Sequence, residues 1–166
     1  TGALWISAAG FLGACAEKKP EFKAVDITGA DYAKDFQLTD QNGQVRSMKD
    51  FAGKVVVLFF GFTQCPDVCP TTMSELVEVR KALGADGERV QAVFVTVDPE
   101  RDTPEVLKDF TDNLHPNMIG LTGTPEQVKA ASLAYKTYFK IQDPEAEFYL
   151  VDHSTFTYLV LPKVGF

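Results

Sequence analysis

The sequence predicts an α/β domain: a central mixed β-sheet flanked by helices, entered through an N-terminal β-hairpin. Three observations carry that expectation. Residues 55–60 are a continuous apolar, β-branched and aromatic run, and 90–97 (Val-Gln-Ala-Val-Phe-Val-Thr-Val) are largely so; both read as buried strands. Segments of helical periodicity alternate with the strands, and such alternation implies parallel crossovers. Asn42-Gly43 separates two short strand-like runs, a strong hairpin signal.

The elements follow in order. Residues 36–40 and 44–48 form the hairpin arms, and Asp50-Phe-Ala-Gly-Lys54 leads into the strand at 55–60. A loop with two cysteines comes next. Met73, Leu76, Val77 and Leu83 then mark one face of a helix from Thr71 to about Leu83, stopped by Gly84. The strand at 90–97 ends at Asp98-Pro99. Thr103-Pro104 opens a second helix, with proline in its first turn and Val106, Leu107, Phe110 and Leu114 as its apolar stripe. Residues 118–121 read as a short strand. Thr124-Pro125 repeats the cap-plus-proline start for a helix running to about Tyr138. Residues 147–151 and 155–160 are expected to pair as a closing hairpin around Asp152-His153-Ser154.

At 166 residues, 45% hydrophobic and 23% charged, the chain has the composition of one globular domain able to bury its own core. A net charge of −7 without a Lys/Arg cluster argues against nucleic acid and against a polybasic membrane patch. Residues 3–16 are apolar and small, about the length of a signal-peptide core, and no other stretch is long enough to span a bilayer. Leu12-Gly-Ala-Cys15 resembles the lipobox of bacterial lipoproteins, although no basic stretch precedes it and the chain opens at Thr1. The expectation is therefore a fragment in three parts. Residues 1–15 are a signal or anchor remnant ending in the lipidated Cys15, 16–32 a polar tether, and 33–166 the folded domain. That places the domain on the extracytoplasmic face of a bacterial cytoplasmic membrane, tethered through its N-terminus.

The chemistry centres on Cys65 and Cys69, four apart in Gly61-Phe-Thr-Gln-Cys-Pro-Asp-Val-Cys-Pro70. They sit at a strand-to-helix junction, where free backbone N–H groups favour thiolate over thiol. A helical turn there would point both sulfurs the same way. The pair is reactive or metal-binding. A dithiol after the first long strand of such a sheet is the thioredoxin arrangement, but C-x-x-x-C is one residue wider than C-x-x-C. The wider spacing still permits a disulfide and leaves room for a metal, with soft thiolates selecting Cu(I) or Zn(II).

Two histidines could complete a metal site. His115 precedes Pro116 at a helix end, where a cap or charge role fits. His153 falls where thioredoxin-type enzymes place a proline beside the dithiol; Ser154 follows it instead, and coordination explains a histidine there better than packing. Asp152 is either a partner of that imidazole or a solvated acid. Asp98 reads as a turn former ahead of Pro99, and Met73 as core despite its affinity for Cu(I).

Three blocks recur together: Gly61-Phe-Thr-Gln-Cys-Pro-Asp-Val-Cys-Pro-Thr-Thr72, Val95-Thr-Val-Asp-Pro-Glu-Arg-Asp-Thr-Pro-Glu105 and Val151-Asp-His-Ser-Thr-Phe156. In this order, between about residues 33 and 160, they resemble the Sco/SenC family of copper chaperones. The resemblance implies a thioredoxin-like fold and copper, as Cu(I) or Cu(II), held by Cys65, Cys69 and His153. It also implies assembly of the binuclear copper centre of cytochrome c oxidase. The partners it implies are the copper-bearing oxidase subunit, other copper chaperones and thioredoxin-like reductants. The rival reading is a thiol–disulfide reductase in which Cys65 and Cys69 are the redox-active pair and no metal takes part. Two features depart from the family pattern. Its members continue past the last strand with a turn, a strand and a C-terminal helix, whereas this chain reads Leu161-Pro-Lys-Val-Gly-Phe166. Without that helix, one sheet face is expected to lie uncovered. The segment Ile141-Gln-Asp-Pro-Glu-Ala-Glu147 is also shorter than the loop often found there.

Overall fold

The computed structural model describes residues 21–162, so Cys15 and the apolar run before it lie outside the described residues. The long apolar runs become β3 (Val55–Gly61) and β4 (Val90–Thr96), paired in parallel along their whole length from Val55↔Val90 to Gly61↔Thr96. β5 (Ile119–Thr122) extends the parallel set beyond β4. β1 (Leu38–Asp40) runs antiparallel beside β5 and pairs with β2 (Val45–Arg46). The Asn42-Gly43 turn holds as expected: Gly43 takes a φ of 78°, and Asp40 Oδ1 accepts from the Asn42 and Gln44 amides. With β8 (Thr157–Val160) antiparallel to β3, the sheet order is β2-β1-β5-β4-β3-β8. It is the mixed sheet the sequence predicts.

Three helices connect the strands: α1 (Val68–Ala82), α2 (Pro104–Leu114) and α3 (Pro125–Ala134). Thr103 and Thr124 cap α2 and α3 through their hydroxyls, accepting from Val106 N and Gln127 N. α1 begins three residues earlier than expected. Pro70 falls in its first turn, where the N–H it lacks would have had no partner. α3 ends four residues early. Lys136 adopts a φ of 52° while Thr137 N donates to Ser132 O and Lys136 N to Leu133 O, closing the helix in a left-handed cap. A lysine at that position gives no sequence signal of a stop.

The closing hairpin differs from expectation. Residues 147–151 and 155–160 do not pair with each other. β7 (Val151–His153) pairs instead with β6 (Phe139–Ile141), a strand that sequence reading left in the loop after the third helix. Together they form a separate two-stranded sheet, Phe139↔His153 to Ile141↔Val151, while β8 crosses to the open edge of β3. His153 therefore ends a strand rather than sitting in a loop.

The pleat divides the core. Phe59, Gly61 and Phe94 face α1 and α2: the Phe94 ring lies 4.8 Å from that of Phe110, and Gly120 backs onto Leu107 and Thr111. Phe60 faces the other way, onto Tyr135 and Tyr158. Ile27 and Tyr32, ahead of the domain boundary expected at residue 33, already pack against this core. On that side Phe22, Val25, Ile27, Phe156, Leu159 and Leu161 help line an apolar groove of about 540 Å³. Among the described residues no helix is long and apolar enough to cross a membrane.

Candidate metal centre

The centre forms where β3 runs out. Gly61 O accepts from Val97 N (2.8 Å), the last tie before the chain turns into the dithiol loop. Thr63 anchors that loop to Asp102, its amide to Oδ2 at 3.0 Å and its hydroxyl to Oδ1 at 2.6 Å. Thr96 Oγ1 donates to the same Oδ2 at 2.6 Å, so Asp102 joins the loop to the end of β4. Burial nevertheless pushes the Asp102 carboxyl above its ordinary range, against those hydrogen bonds. Cys65 N closes a turn onto Phe62 O, and four residues later Cys69 enters as the second residue of α1.

Cys69 is wholly buried and Cys65 nearly so; both are free thiols. Burial pushes the Cys69 thiol well up, with the neighbouring Cys65 thiol adding to the shift and the Phe62 backbone opposing it. The helix N-terminus was expected to favour thiolate. Complete burial outweighs it in the metal-free protein.

His153 approaches from β7. Its Nε2 lies 3.4 Å from Cys69 Sγ, and its Nδ1 lies 3.0 Å from Ser154 O. A carbonyl only accepts, so Nδ1 carries a proton, and in the neutral ring it is Nε2 that would offer its lone pair toward the sulfur. The ring meets Phe59 and Phe62 edge to face, at 6.0 and 5.7 Å between centroids. The two Sγ atoms and an imidazole nitrogen all lie within 4.8 Å of one another, and among the described residues no other His/Cys/Asp/Glu group has metal-binding spacing. Two thiols and an imidazole, walled by phenyl rings, form a soft donor set suited to Cu(I) or Zn(II) and unsuited to hard cations.

The remaining candidates separate. His115 caps α2 and faces Arg80 Nη1 at 3.1 Å; burial and that charge hold its pKa below the ordinary range. Asp152 is exposed and accepts from Gln142 rather than from the imidazole. Met73 is core. Asp98 is more than a turn former: it is buried, with Oδ2 accepting from Arg101 Nε at 2.5 Å and Oδ1 from the Tyr149 hydroxyl at 2.9 Å.

Sequence reading gave no role to Gly61. A Cβ built there would stand 2.7 Å from Cys69 Sγ and about as close to the Phe59 and Phe94 rings, so only glycine lets the thiol seat against the strand. Gly61→Ala is expected to cost about 1–3 kcal/mol by overpacking, read as a lower urea midpoint. An unchanged midpoint would mean the thiol does not press on this residue.

The family model described as SCO1/SenC matches residues 25–166. The chain belongs to the SCO1/SenC family. Protein SenC of Rhodobacter capsulatus is 43% identical over 144 residues, 87% of this chain and 65% of that protein. The chain thus spans less than two thirds of this curated relative. The copper-bound structure of ScoI from Bradyrhizobium japonicum superposes with a TM-score of 0.73 at 41% identity, covering 78% of this chain and 83% of that one. The thioredoxin-like sheet and helices of this SCO1/SenC chain match that structure. BsSco, in which a disulfide switch was identified, is described as a member of the Sco family of cytochrome c oxidase assembly proteins. It is 28% identical with a TM-score of 0.53, covering 63% of this chain and 64% of its own.

Proposed function

We propose that this chain is a copper metallochaperone that carries copper on Cys65, Cys69 and His153 and helps build the binuclear copper centre of cytochrome c oxidase. The observation that carries this reading is the convergence of the three donor atoms within 4.8 Å. The copper held by the related ScoI and the oxidase-assembly role given for BsSco support it. Copper here is cargo. Cys65 and Cys69 supply the sulfur donors and His153 Nε2 the nitrogen, while Ser154 O keeps the imidazole in the binding tautomer. Three protein donors leave room for a partner's ligands to enter and take the ion by exchange. The natural recipient is the copper-bearing oxidase subunit on the extracytoplasmic side of a bacterial membrane, with Cys15 as the tethering residue and other copper chaperones or thioredoxin-like reductants upstream.

The adjacent thiols also suit a thiol–disulfide reductase, and a disulfide switch in BsSco keeps that chemistry in view. It gives no work to His153, whose Nε2 lies 3.4 Å from Cys69 Sγ. The discriminating experiment mixes the copper-loaded domain with a reduced, metal-free, soluble copper-bearing oxidase domain. Copper is expected to move, developing the recipient's binuclear-site absorption. A reduced recipient that stays copper-free, while the reduced, metal-free chain does reduce a second sample of the recipient whose cysteines have been oxidised to the disulfide, would favour the reductase.

A further inference from the structure

We propose that Arg101 is a positioning residue for the metal centre, fastening the hairpin that carries His153 to the loop that carries Cys65. The inference rests on the copper reading above. β7 shares no ladder with the main sheet, so the distance from His153 to Cys69 depends on what pins the β6–β7 hairpin in place. Arg101 does so from between the segments. Its Nε donates to Asp98 Oδ2 at 2.5 Å, just past the end of β4. Its Nη1 donates to Gln64 Oε1 at 3.1 Å, one residue before Cys65, and to Tyr149 O at 3.0 Å, two residues before β7. The guanidinium carbon lies 3.6 Å from the centroid of the Tyr149 ring, and the Tyr149 hydroxyl donates to the free oxygen of Asp98. Burial and that bond push the Tyr149 phenol up to about 12, so it remains a donor.

One planar side chain thus ties together the dithiol loop, the end of β4 and the histidine hairpin. Lysine offers neither the fork nor the stacking plane. Arg101 Nη2 is buried without a hydrogen-bond partner among the described residues. An unsatisfied donor costs stability, so contact energy alone does not account for this arrangement.

The test is a Cu(I) titration of the reduced protein against a competing chelator. Wild type is compared with Arg101→Met, Tyr149→Phe, His153→Ala and Arg101→Met/His153→Ala. Arg101→Met is expected to weaken binding roughly 10- to 100-fold, the range for residues that orient metal ligands. Tyr149→Phe, the milder variant, should move the same way by less. In the His153→Ala background the Arg101→Met effect should vanish, because it acts through the imidazole. In the Cu(II)-loaded protein, Arg101→Met should diminish the imidazole nitrogen hyperfine coupling in the electron paramagnetic resonance spectrum. Wild-type affinity in Arg101→Met, or the same loss with and without His153, would overturn the proposal. Amide hydrogen exchange across residues 139–153 provides a metal-free arm. It should quicken in Arg101→Met relative to the β3–β4 amides, and unchanged exchange would overturn the proposal. A wild type that binds no copper would remove the copper reading, and the exchange arm would still decide whether Arg101 pins the hairpin.

Discussion

Cys65→Ser and Cys69→Ser are each expected to weaken Cu(I) binding by more than roughly 100-fold, beyond the range of changes that only reorient ligands. A serine hydroxyl is a hard donor that stays protonated near neutral pH, whereas Cu(I) selects soft thiolates. The packing consequence is small by comparison. Both cysteines sit in the buried cluster, and serine is slightly smaller and can still hydrogen-bond, so the variants should unfold cooperatively with modestly lowered midpoints. Loss of binding with retained folding isolates the ligand role. Competition with a Cu(I) chelator, paired with a urea melt, reads both quantities. Wild-type affinity in either folded variant would remove that sulfur from the site.

Acidification is expected to release copper, and the reason lies in the metal-free state. Burial, with Cys65 alongside, raises the Cys69 thiol well above its ordinary value, so near neutral pH the metal-free protein holds a proton on Cys69 Sγ. A copper ion on that sulfur would displace the proton. Lowering the pH therefore favours the proton-bearing, metal-free form, and raising it favours the complex. For the Cys69 proton alone, apparent affinity should fall about tenfold per pH unit throughout the range below the raised thiol value. Further protons displaced from the other donors would steepen the slope. Chelator competition at several pH values gives the slope, and a pH indicator in weak buffer counts the protons released on loading. Affinity flat across neutral pH would show that Cys69 is already a thiolate or is not a ligand.

The sequence makes the frame legible because its central strands are long and apolar on both faces. β3 shows as an uninterrupted apolar run and β4 as one interrupted only at Gln91 and Thr96, and α2 and α3 announce their starts with threonine and proline. What it hides follows from short range and missing punctuation. β6 is only Phe-Lys-Ile, and the helix before it ends at Ala134 with Lys136, not glycine, in the left-handed position beyond it, so neither boundary shows. Periodicity marks that a strand exists but not which strand it joins, which is why the expected partner of 155–160 is 147–151 and not β3. The site divides the same way. Cys65, Cys69 and His153 stand out by spacing and by their blocks. Gly61 is visible only once a helix brings Cys69 against it. Arg101 and Tyr149 are 48 residues apart, and their contact exists only after folding. Asp98 looked like a turn residue because its position before Pro99 suffices for one, and nothing local reveals the arginine and phenol that bury it.

The central claim is that a histidine from the separate hairpin completes a copper site with the dithiol. The most direct measurement is Cu(I) titration of the fully reduced protein and of His153→Ala under a competing chelator. Tight one-to-one binding in wild type, weakened strongly by the substitution while the urea midpoint holds, is the result this account predicts. Equal affinity in the two proteins would contradict it, leaving the two cysteines as the working pair and His153 outside the site.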